Sequence, residues 1–260
     1  MVDLTFSMEA IEYFLLVFAR ISAFVFIAPF FGMKNTPSQA KIAISFFTAI
    51  LVFSTLNDTS LPSYHTAWGF GILVMKEVVV GLIIGFGAEM CTMIVTFAGR
   101  IVDTETGMAM ANIMDPTTLQ NTTMSGMIYQ YTVMLILITS GMYQYLLKAL
   151  VETFTLIPVS GAVFRTDALL SALLKFMCDF VVIGFRIAMP VFIVITLLNS
   201  ILGILAKVAP QMNMFAVGMQ LKIITGLSVL FLTMKMLPYV ADFIFEEIKT
   251  ITVSFVEGLM

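Results

Sequence analysis

The sequence predicts an all-α, polytopic membrane protein of about six hydrophobic helices, arranged as kinked helical hairpins. Three observations predict it. The 260 residues are 60% hydrophobic and only 11% charged, whereas soluble domains average about 45–50% apolar and about 25% charged residues. The mean hydropathy is +1.04. The apolar residues also form six runs, most of them long enough to cross a bilayer core of about 30 Å as helices. We expect one membrane-embedded domain over residues 1–260.

Polar residues, glycine or proline separate the six runs. The first run ends at Pro29 and Gly32, and a short basic turn follows it. Pro190 lies inside the fifth run and predicts a kink there, because proline cannot donate the helical hydrogen bond. Pro238 ends the sixth run, and a short acidic amphipathic tail follows. The runs cover residues 11–31, 42–56, 68–97, 127–151, 169–205 and 215–238.

The remaining composition excludes several classes of function. The net charge of -3 and the lack of a basic run argue against a nucleic-acid partner. The chain has one histidine and two cysteines, and both cysteines lie within apolar runs. These residues do not have the spacing of metal ligands. The sequence contains no HExxH, no GxSxG and no pair of catalytic aspartates in facing helices. We expect no catalytic residue, no metal site and no cofactor.

Six charged residues interrupt the apolar runs. A charge at the centre of a membrane helix costs about 2.5–3.5 kcal/mol, which offsets several aliphatic residues. Either these charges pair between helices or reach the interface, or their helices mostly contact other protein subunits. Both interpretations predict a helical assembly. Lys175 could also pair with one of them, Asp179, which lies one helical turn away. The six residues are Arg20, Lys76, Glu77, Glu89, Asp179 and Arg186.

The central segment, residues 99–126, is the most polar interruption of the chain. Gly, Thr, Asn and Asp dominate it, Met is spaced through it, and Asp115 precedes Pro116. Non-helical backbone here cannot face hydrocarbon, because each unpaired N–H or C=O group costs several kcal/mol. The segment is therefore either an ordinary loop outside the membrane or a segment buried in protein or lining a water-filled path. Its length and methionine content favour a loop with a function.

Two further patterns concern helix packing. Residues 203–226 run from an apolar helix through Lys207 and Pro210 into a second apolar helix. This is the pattern of a helical hairpin with a basic, proline-marked tip, and a plain turn would look similar. Gly81 and Gly85 are one helical turn apart, and small residues at this spacing let helices approach closely.

Taken together, these segments resemble the FliR family, the R subunit of the flagellar type III export gate. They occur in family order and cover nearly the whole chain, so the set is specific although no single stretch is. The matching residues are Arg20, Ala28 and Pro29, the turn 37–41, Glu77 with Gly81 and Gly85, residues 99–116, Thr153 and Phe154 to Pro158, Gly203, Ala209 to Gln211, and Phe215.

The resemblance implies a structural and gating role with no bond-making chemistry. FliR-like proteins join the FliP and FliQ subunits in a closed helical assembly at the flagellar basal body in the inner membrane. With FlhA and FlhB, that assembly passes unfolded flagellar proteins out of the cytoplasm. The implied partners are therefore these four proteins, the exported chains and membrane lipid. Much of the family's assembly is raised out of the bilayer plane, which would account for charges within apolar runs.

The resemblance also implies two sites. The segment matching residues 107–116 plugs the pore in the family. Many relatives carry Phe at the positions of Met110 and Ile113, and methionine is a flexible substitute that adapts to irregular gaps. The second site is the tip of the hairpin, which would face the cytoplasm and contact neighbouring subunits. The plug residues are Gly107, Met108, Met110, Ile113, Met114, Asp115 and Pro116, and the hairpin residues are Lys207, Pro210, Gln211 and Phe215.

Two other functions remain open from the sequence. A virulence-type secretion system has an equivalent subunit with the same fold, and the neighbouring genes would distinguish the two systems. A secondary transporter for a small solute would also carry broken helices and intramembrane charges. It would need an inverted repeat, and the sequence shows no convincing one.

Overall fold

The structure is a computed structural model that describes residues 8–33, 36–56, 64, 66–110, 113–114, 121–209, 211 and 214–260. Eight α-helices form most of this part of the chain. They are α1 Met8–Ile27, α2 Ser38–Thr55, α3 Ala67–Thr106, α4 Met124–Thr139, α5 Met142–Leu156, α6 Thr166–Val208, α7 Met214–Thr233 and α8 Leu237–Glu257. Two 3₁₀ turns cover Met108–Met110 and Met234–Met236. Two-residue strands, β1 Ile113–Met114 and β2 Asn121–Thr122, pair antiparallel.

Five helical stretches of the described residues are long and apolar enough to cross a membrane: α1, α2, α3, α6 and the stretch Ala216–Glu257, which includes both α7 and α8. The bent pair α4 and α5 makes a sixth if it is one span. This confirms the predicted all-α, polytopic membrane protein. At 1.5 Å per residue, α3 and α6 are each about 60 Å long or more, which is roughly twice the thickness of a hydrocarbon core.

The helical bounds differ from the predicted ones at the central segment. Helix α3 continues through residues 99–106, which the sequence assigned to the polar interruption. Asp103 and Thr106 lie on this extension and are fully buried. Their polar atoms are hydrogen-bonded inside the protein, so these residues are compatible with helix although their hydropathy resembles that of a loop. The interruption proper covers residues 107–123.

The fourth apolar run is not one helix. It breaks at Ser140 and Gly141, and the axes of α4 and α5 differ by 66°. Gly141 has φ 77°, a left-handed conformation that glycine adopts without steric cost. Hydropathy does not register the break, because the residues on both sides of it are apolar.

The end of the chain also differs from the prediction. Pro238 does not end a helix; it is the second residue of α8, where its missing N–H would have no helical partner anyway. The predicted amphipathic tail is therefore most of a 21-residue helix. Helix α6, in contrast, continues through Pro190, which lies inside it as predicted. The kink expected at Pro190 stays a prediction.

The chain forms two compact units, each built from segments that are distant in sequence. The first comprises Met1–Met90, Gly141–Lys175 and Glu247–Met260. In it, α1 and α3 approach closely at glycines. A Cβ on Gly81 would overlap the carbonyl oxygen of Arg20, and one on Gly85 would lie 3.1 Å from that of Phe24. Buried apolar side chains of this unit include Leu16, Ile21, Phe24, Val80, Ile84, Leu146, Leu150, Ile248 and Phe255.

The second unit comprises Cys91–Ser140 and Phe176–Glu246. Here Phe97 of α3 fills the space above Gly184 of α6, and its ring centroid lies 5.2 Å from that of Phe180. Buried apolar side chains of this unit include Ile94, Val95, Val102, Tyr129, Val133, Leu137, Val191, Ile195 and Leu230. Three helices, α3, α6 and α8, contribute residues to both units. The prediction of a single domain over residues 1–260 stays a prediction.

Two glycines of α3 provide a matched test of the helix packing. Gly81→Ala places a methyl group against the backbone of α1, and we expect this overpacking to destabilise the protein by about 1–3 kcal/mol. Gly71→Ala is the control, because no atom lies within 4 Å of its added Cβ. Thermal unfolding of both variants, followed by circular dichroism, checks the expectation. Equal midpoints would show that α1 and α3 are not tightly packed at Gly81.

Candidate functional site

The loop that interrupts the chain, residues 107–123, lies between the end of α3 and the start of α4. Helix α3 ends at Thr106, and Gly107, which follows it, has φ 83°. This left-handed glycine after the last helical residue is a common helix stop. Helix α4 begins after Thr123, whose side chain makes no capping hydrogen bond. A helix start without its own cap leaves N–H groups in need of an acceptor.

Asp103 supplies that acceptor from the last turn of α3. Its Oδ2 accepts a hydrogen bond from the backbone N–H of Ser125 at 2.8 Å, and its Oδ1 accepts one from the Ser125 hydroxyl at 2.5 Å. Both residues are fully buried. A carboxylate at a helix N-terminus satisfies a free N–H and interacts favourably with the helix dipole. We call this pair the Asp103–Ser125 clamp, and it joins the two ends of the loop.

Glycines bring the same two helices together beside the clamp. A Cβ on Gly99 would overlap the backbone of Gly126, so α3 and α4 are in backbone contact there. One turn beyond Asp103, the hydroxyl of Thr106 donates to the carbonyl oxygen of Val102 at 3.0 Å. The methyl group of Thr106 lies where a Cβ on Gly226 of α7 would be. The base of the loop is thus held by α4 on one side and α7 on the other.

The predicted plug residues lie on this loop as far as the structure describes them. Gly107 follows the end of α3, and Met108 and Met110 lie in the 3₁₀ turn. Ile113 and Met114 form β1, in which Ile113 is paired with Thr122 and Met114 with Asn121. The ladder closes the loop a few residues from its base. The last two predicted plug residues, Asp115 and Pro116, lie outside the described residues.

The predicted hairpin residues follow the end of α6. Lys207 is in the last turn of α6 and is exposed, and Gln211 is exposed in the turn that follows. Phe215 is the second residue of α7. Pro210 lies outside the described residues. Helix α6 ends at Val208 and α7 begins at Met214, and the hairpin assignment stays a prediction.

Three of the predicted intramembrane charges, Arg20, Glu77 and Lys76, form one network in the first unit, and Arg20 and Glu77 are fully buried. The Arg20 Nε–H donates to Glu77 Oε2 at 2.5 Å, and both side chains are fully buried. The Arg20 Nη1 donates to the carbonyl oxygens of Thr153 and Ile157, at 3.3 and 3.0 Å. These carbonyls are at the C-terminal end of α5, where a positive charge compensates the helix dipole. The guanidinium carbon also lies 4.3 Å from the ring centroid of Phe154.

Glu77 and its neighbour Lys76 hold the loop that follows α5. The backbone N–H of Ser160 donates to Glu77 Oε1 at 2.7 Å, and Lys76 Nζ donates to the Ser160 carbonyl oxygen at 2.6 Å. Ser160 has φ 67°, an uncommon conformation for a residue with a side chain. Two charged groups therefore fix one strained residue, and this explains how adjacent charges on α3 are both used.

The other three charges are not part of this network. Glu89 and Asp179 are half-buried on α3 and α6, and Arg186 is exposed on α6. In the described part of the chain Lys175 and Asp179 form no ion pair, although their spacing would allow one. Arg186 borders a mostly apolar cavity of about 260 Å³. Other residues that line the cavity are Tyr129, Pro190, Thr233, Leu237 and Phe243.

The sequence interpretation missed the residues that hold the loop. Asp103, Ser125 and Gly226 were not selected as site residues. One pattern could have indicated Asp103: Gly99, Asp103 and Thr106 are spaced four and three residues apart and therefore share one face of α3. Their partners could not be found in this way, because they lie on other helices.

Comparison with known proteins matches this chain to proteins of bacterial export systems. A model of the family described as bacterial export proteins, family 1, matches residues 11–248. The flagellar biosynthetic protein FliR of Bacillus subtilis (strain 168) is 32% identical to this chain, over 90% of each protein. FliR of Escherichia coli (strain K12) is 25% identical, over 92% of this chain and 91% of its own length. The surface presentation of antigens protein SpaR of Shigella sonnei is 25% identical, over 88% and 90% respectively.

The buried network makes a testable prediction about stability. Glu77→Gln leaves Arg20 charged and buried without its ion partner, and the loss of one partner of such a pair costs about 3–5 kcal/mol. The matched control is Glu152→Gln, which removes the exposed Lys148–Glu152 pair at 3.7 Å. An exposed pair contributes about 0.2–1 kcal/mol. Unfolding midpoints in detergent measure both effects, and similar small shifts for the two variants would contradict the structural importance of Arg20 and Glu77.

Proposed function

The chain belongs to the bacterial export proteins, family 1, and we propose that it is a subunit of the apparatus that exports flagellar proteins. The observation that carries the proposal is the 32% identity to the FliR protein of Bacillus subtilis, which extends over 90% of both chains. The resemblance predicted from sequence motifs is thereby confirmed. Because the similarity covers 90% of both chains, the proposed role concerns most of the fold rather than one motif.

The alternative is the equivalent subunit of a virulence-type secretion system. The similarity to SpaR of Shigella sonnei supports this reading. The flagellar role is favoured because the relative with the higher identity carries the flagellar name. Deletion of the gene in its own organism distinguishes the two. Loss of flagella with intact virulence secretion supports our proposal, and the opposite result supports the alternative.

The proposed partners are the FliP and FliQ gate subunits, FlhA and FlhB, all in the inner membrane at the flagellar basal body. The large exposed apolar area of α6 supports a hetero-oligomeric gate, since a wide apolar surface on a membrane helix is covered either by lipid or by other helices. The length of α6, about twice a bilayer core, means that lipid cannot cover all of it. Its exposed apolar residues include Val182, Phe185, Met189, Ile193, Leu197, Ile201 and Ile204.

We further propose that residues 107–116 form the plug of the export pore. The support is the contrast between the loop and its frame. The frame is held by buried hydrogen bonds and by glycine contacts at Gly99 and Gly226, whereas the loop contains only one short ladder among its described residues. Methionine side chains on such a loop can close a gap without specific hydrogen bonds and can yield to varied polypeptide. The exposed hairpin residues Lys207 and Gln211, with Pro210 and Phe215, are proposed to contact partner subunits.

The plug proposal is tested by leakage across the membrane. In cells that produce the assembled gate, deletion of residues 107–116 is expected to raise the permeability of the inner membrane to ions and small solutes. A milder variant replaces Met108, Met110 and Met114 by serine, which removes the apolar seal and keeps the loop length. Replacement of the same residues by leucine is the control, because leucine preserves apolar volume.

Leakage is measured as uptake of a small solute that normally stays outside the inner membrane. Co-purification with the FliP and FliQ subunits shows that each variant still assembles. If the deletion variant assembles and does not leak, residues 107–116 are not the plug. If the leucine variant leaks as much as the serine variant, the seal does not depend on apolar volume.

A further inference from the structure

The cavity beside Arg186 lies wholly within the second unit and has a volume of about 260 Å³. Thr233 is one of the few polar residues in its wall, and the Thr233 hydroxyl already donates to the carbonyl oxygen of Leu230 at 2.9 Å. A wall of this kind suits hydrocarbon, because a polar guest would lose its hydrogen bonds to water there. The apolar side chains of the wall include Ile183, Ile187, Leu237, Val240 and Phe243.

Arg186 carries a charge that has no counter-charge in the described part of the chain. It is the only charged residue among the described residues that line the cavity, and its side chain is exposed. It forms no ion pair with any acidic residue that the structure describes. An arginine in a membrane segment normally pairs with an anion, because an unpaired charge beside hydrocarbon is costly. The planar guanidinium is well matched to a phosphate group, to which it can donate two hydrogen bonds.

The distribution of charges along α6 places Arg186 at the level of lipid headgroups. Residues 187–206 contain no charged residue, and Lys207 follows them. A helical stretch of about 20 residues spans about 30 Å, the thickness of a hydrocarbon core. The first half of α6 differs, because it contains Asp167, Lys175 and Asp179. The second half therefore fits one bilayer core, with Arg186 and Lys207 at its two surfaces.

Residues on the opposite side of the cavity agree with this level. Lys235 is exposed and lies in the 3₁₀ turn beside Met236, which lines the cavity. Tyr239 of α8 also lines the cavity and is 77% exposed. Tyrosine is enriched where the hydrocarbon core meets the headgroups, and lysine extends its ammonium group toward the same region. The cavity thus combines an apolar wall with the charged and aromatic residues of a membrane surface.

We propose that this cavity binds one acyl chain of an anionic phospholipid, whose phosphate accepts hydrogen bonds from Arg186. The volume is slightly below the range of about 300–1,000 Å³ that ligand pockets usually have, which suits one chain rather than a whole lipid. A helix of a partner protein, about 10–12 Å wide with its side chains, is too large for it. Basic pockets between membrane helices bind acidic lipid headgroups. The site does not depend on the proposed export function.

The headgroup contact is tested by titrating the full chain, purified in detergent, with phosphatidylglycerol and counting bound lipid by native mass spectrometry. Arg186→Gln should weaken binding about tenfold, because it removes a charged hydrogen-bond donor. Arg186→Lys should retain most of the affinity, since the charge remains. Arg165→Gln is the control, because Arg165 is also exposed but precedes α6 and does not line the cavity. Equal affinities of Arg186→Gln and Arg165→Gln would overturn the proposal.

The acyl-chain contact is tested by filling the cavity. Val240→Phe adds a ring to the wall and leaves Arg186 in place, so we expect it to weaken phosphatidylglycerol binding as well. Val182→Phe is the control, because Val182 is exposed on α6 and does not line the cavity. Unchanged binding by Val240→Phe would show that no acyl chain enters the cavity. In the unmodified chain, a phospholipid with a photoreactive acyl chain should label Ile183, Val240 or Phe243, and labelling only elsewhere would contradict the proposal.

Competing ligands identify the guest. Phosphatidylcholine with the same acyl chains should bind about fivefold more weakly, because its headgroup carries a compensating positive charge. Inorganic phosphate should not displace phosphatidylglycerol, and displacement by phosphate would show that the cavity is not needed. Tighter binding of myristate than of phosphatidylglycerol would assign the site to a free fatty acid instead. If the photoreactive chain labels the cavity in the chain alone, but the assembly with its partner subunits holds no lipid there, a partner's side chain occupies the cavity and the proposal fails.

Discussion

A helix end that is buried in protein has backbone groups that neither water nor the helix itself can satisfy. Two fully buried charges meet this need at the two ends of the bent pair α4 and α5. The carboxylate of Asp103 accepts from the first turn of α4, and the guanidinium of Arg20 donates to carbonyls at the end of α5. The signs are those that the helix dipole requires: negative at an N-terminus and positive at a C-terminus. Each charge also has a side-chain partner: Asp103 accepts from the Ser125 hydroxyl, and the Arg20 Nε–H donates to Glu77. The buried Arg20 Nη2 has no hydrogen-bond partner within the described residues.

The capping charges depend on glycines that let the helices approach. The backbone of Arg20 meets Gly81 on α3, and Gly99 lies one turn from Asp103 and meets Gly126 on α4. With a larger residue at either glycine, the helix axes would separate and these hydrogen bonds would lengthen. The glycines of these apolar segments therefore bring the helices close enough for the charged side chains to reach their hydrogen-bond partners. A hydropathy profile shows the charges as unfavourable positions, because it omits the partners on neighbouring helices.

This explains which parts of the structure could be predicted from sequence. The apolar runs were found because length and composition determine whether a helix can span a membrane. The break at Gly141 was missed because one glycine between apolar residues has many structural meanings. Pro238 was assigned to a helix end although proline is equally suited to the first turn. Arg20 and Glu77 were recognised as unusual charges, but their pairing joins residues 57 positions apart, and no local pattern specifies such a distance. The plug and hairpin assignments stay predictions that rest on the family.

The methionine content of the proposed plug suits a gate that must not choose among its cargoes. A plug that recognised its cargo through specific hydrogen bonds would favour some exported chains over others, because buried polar groups discriminate strongly when left unpaired. Apolar, flexible methionine side chains avoid this selection. Apolar methionine contacts define the position of a loop less sharply than buried hydrogen bonds do. Its position must come from the helices that carry it, which is where Asp103, Thr106 and their buried partners lie. In the proposed arrangement, the buried hydrogen bonds lie at the base of the plug and the adaptable methionines lie on the plug itself.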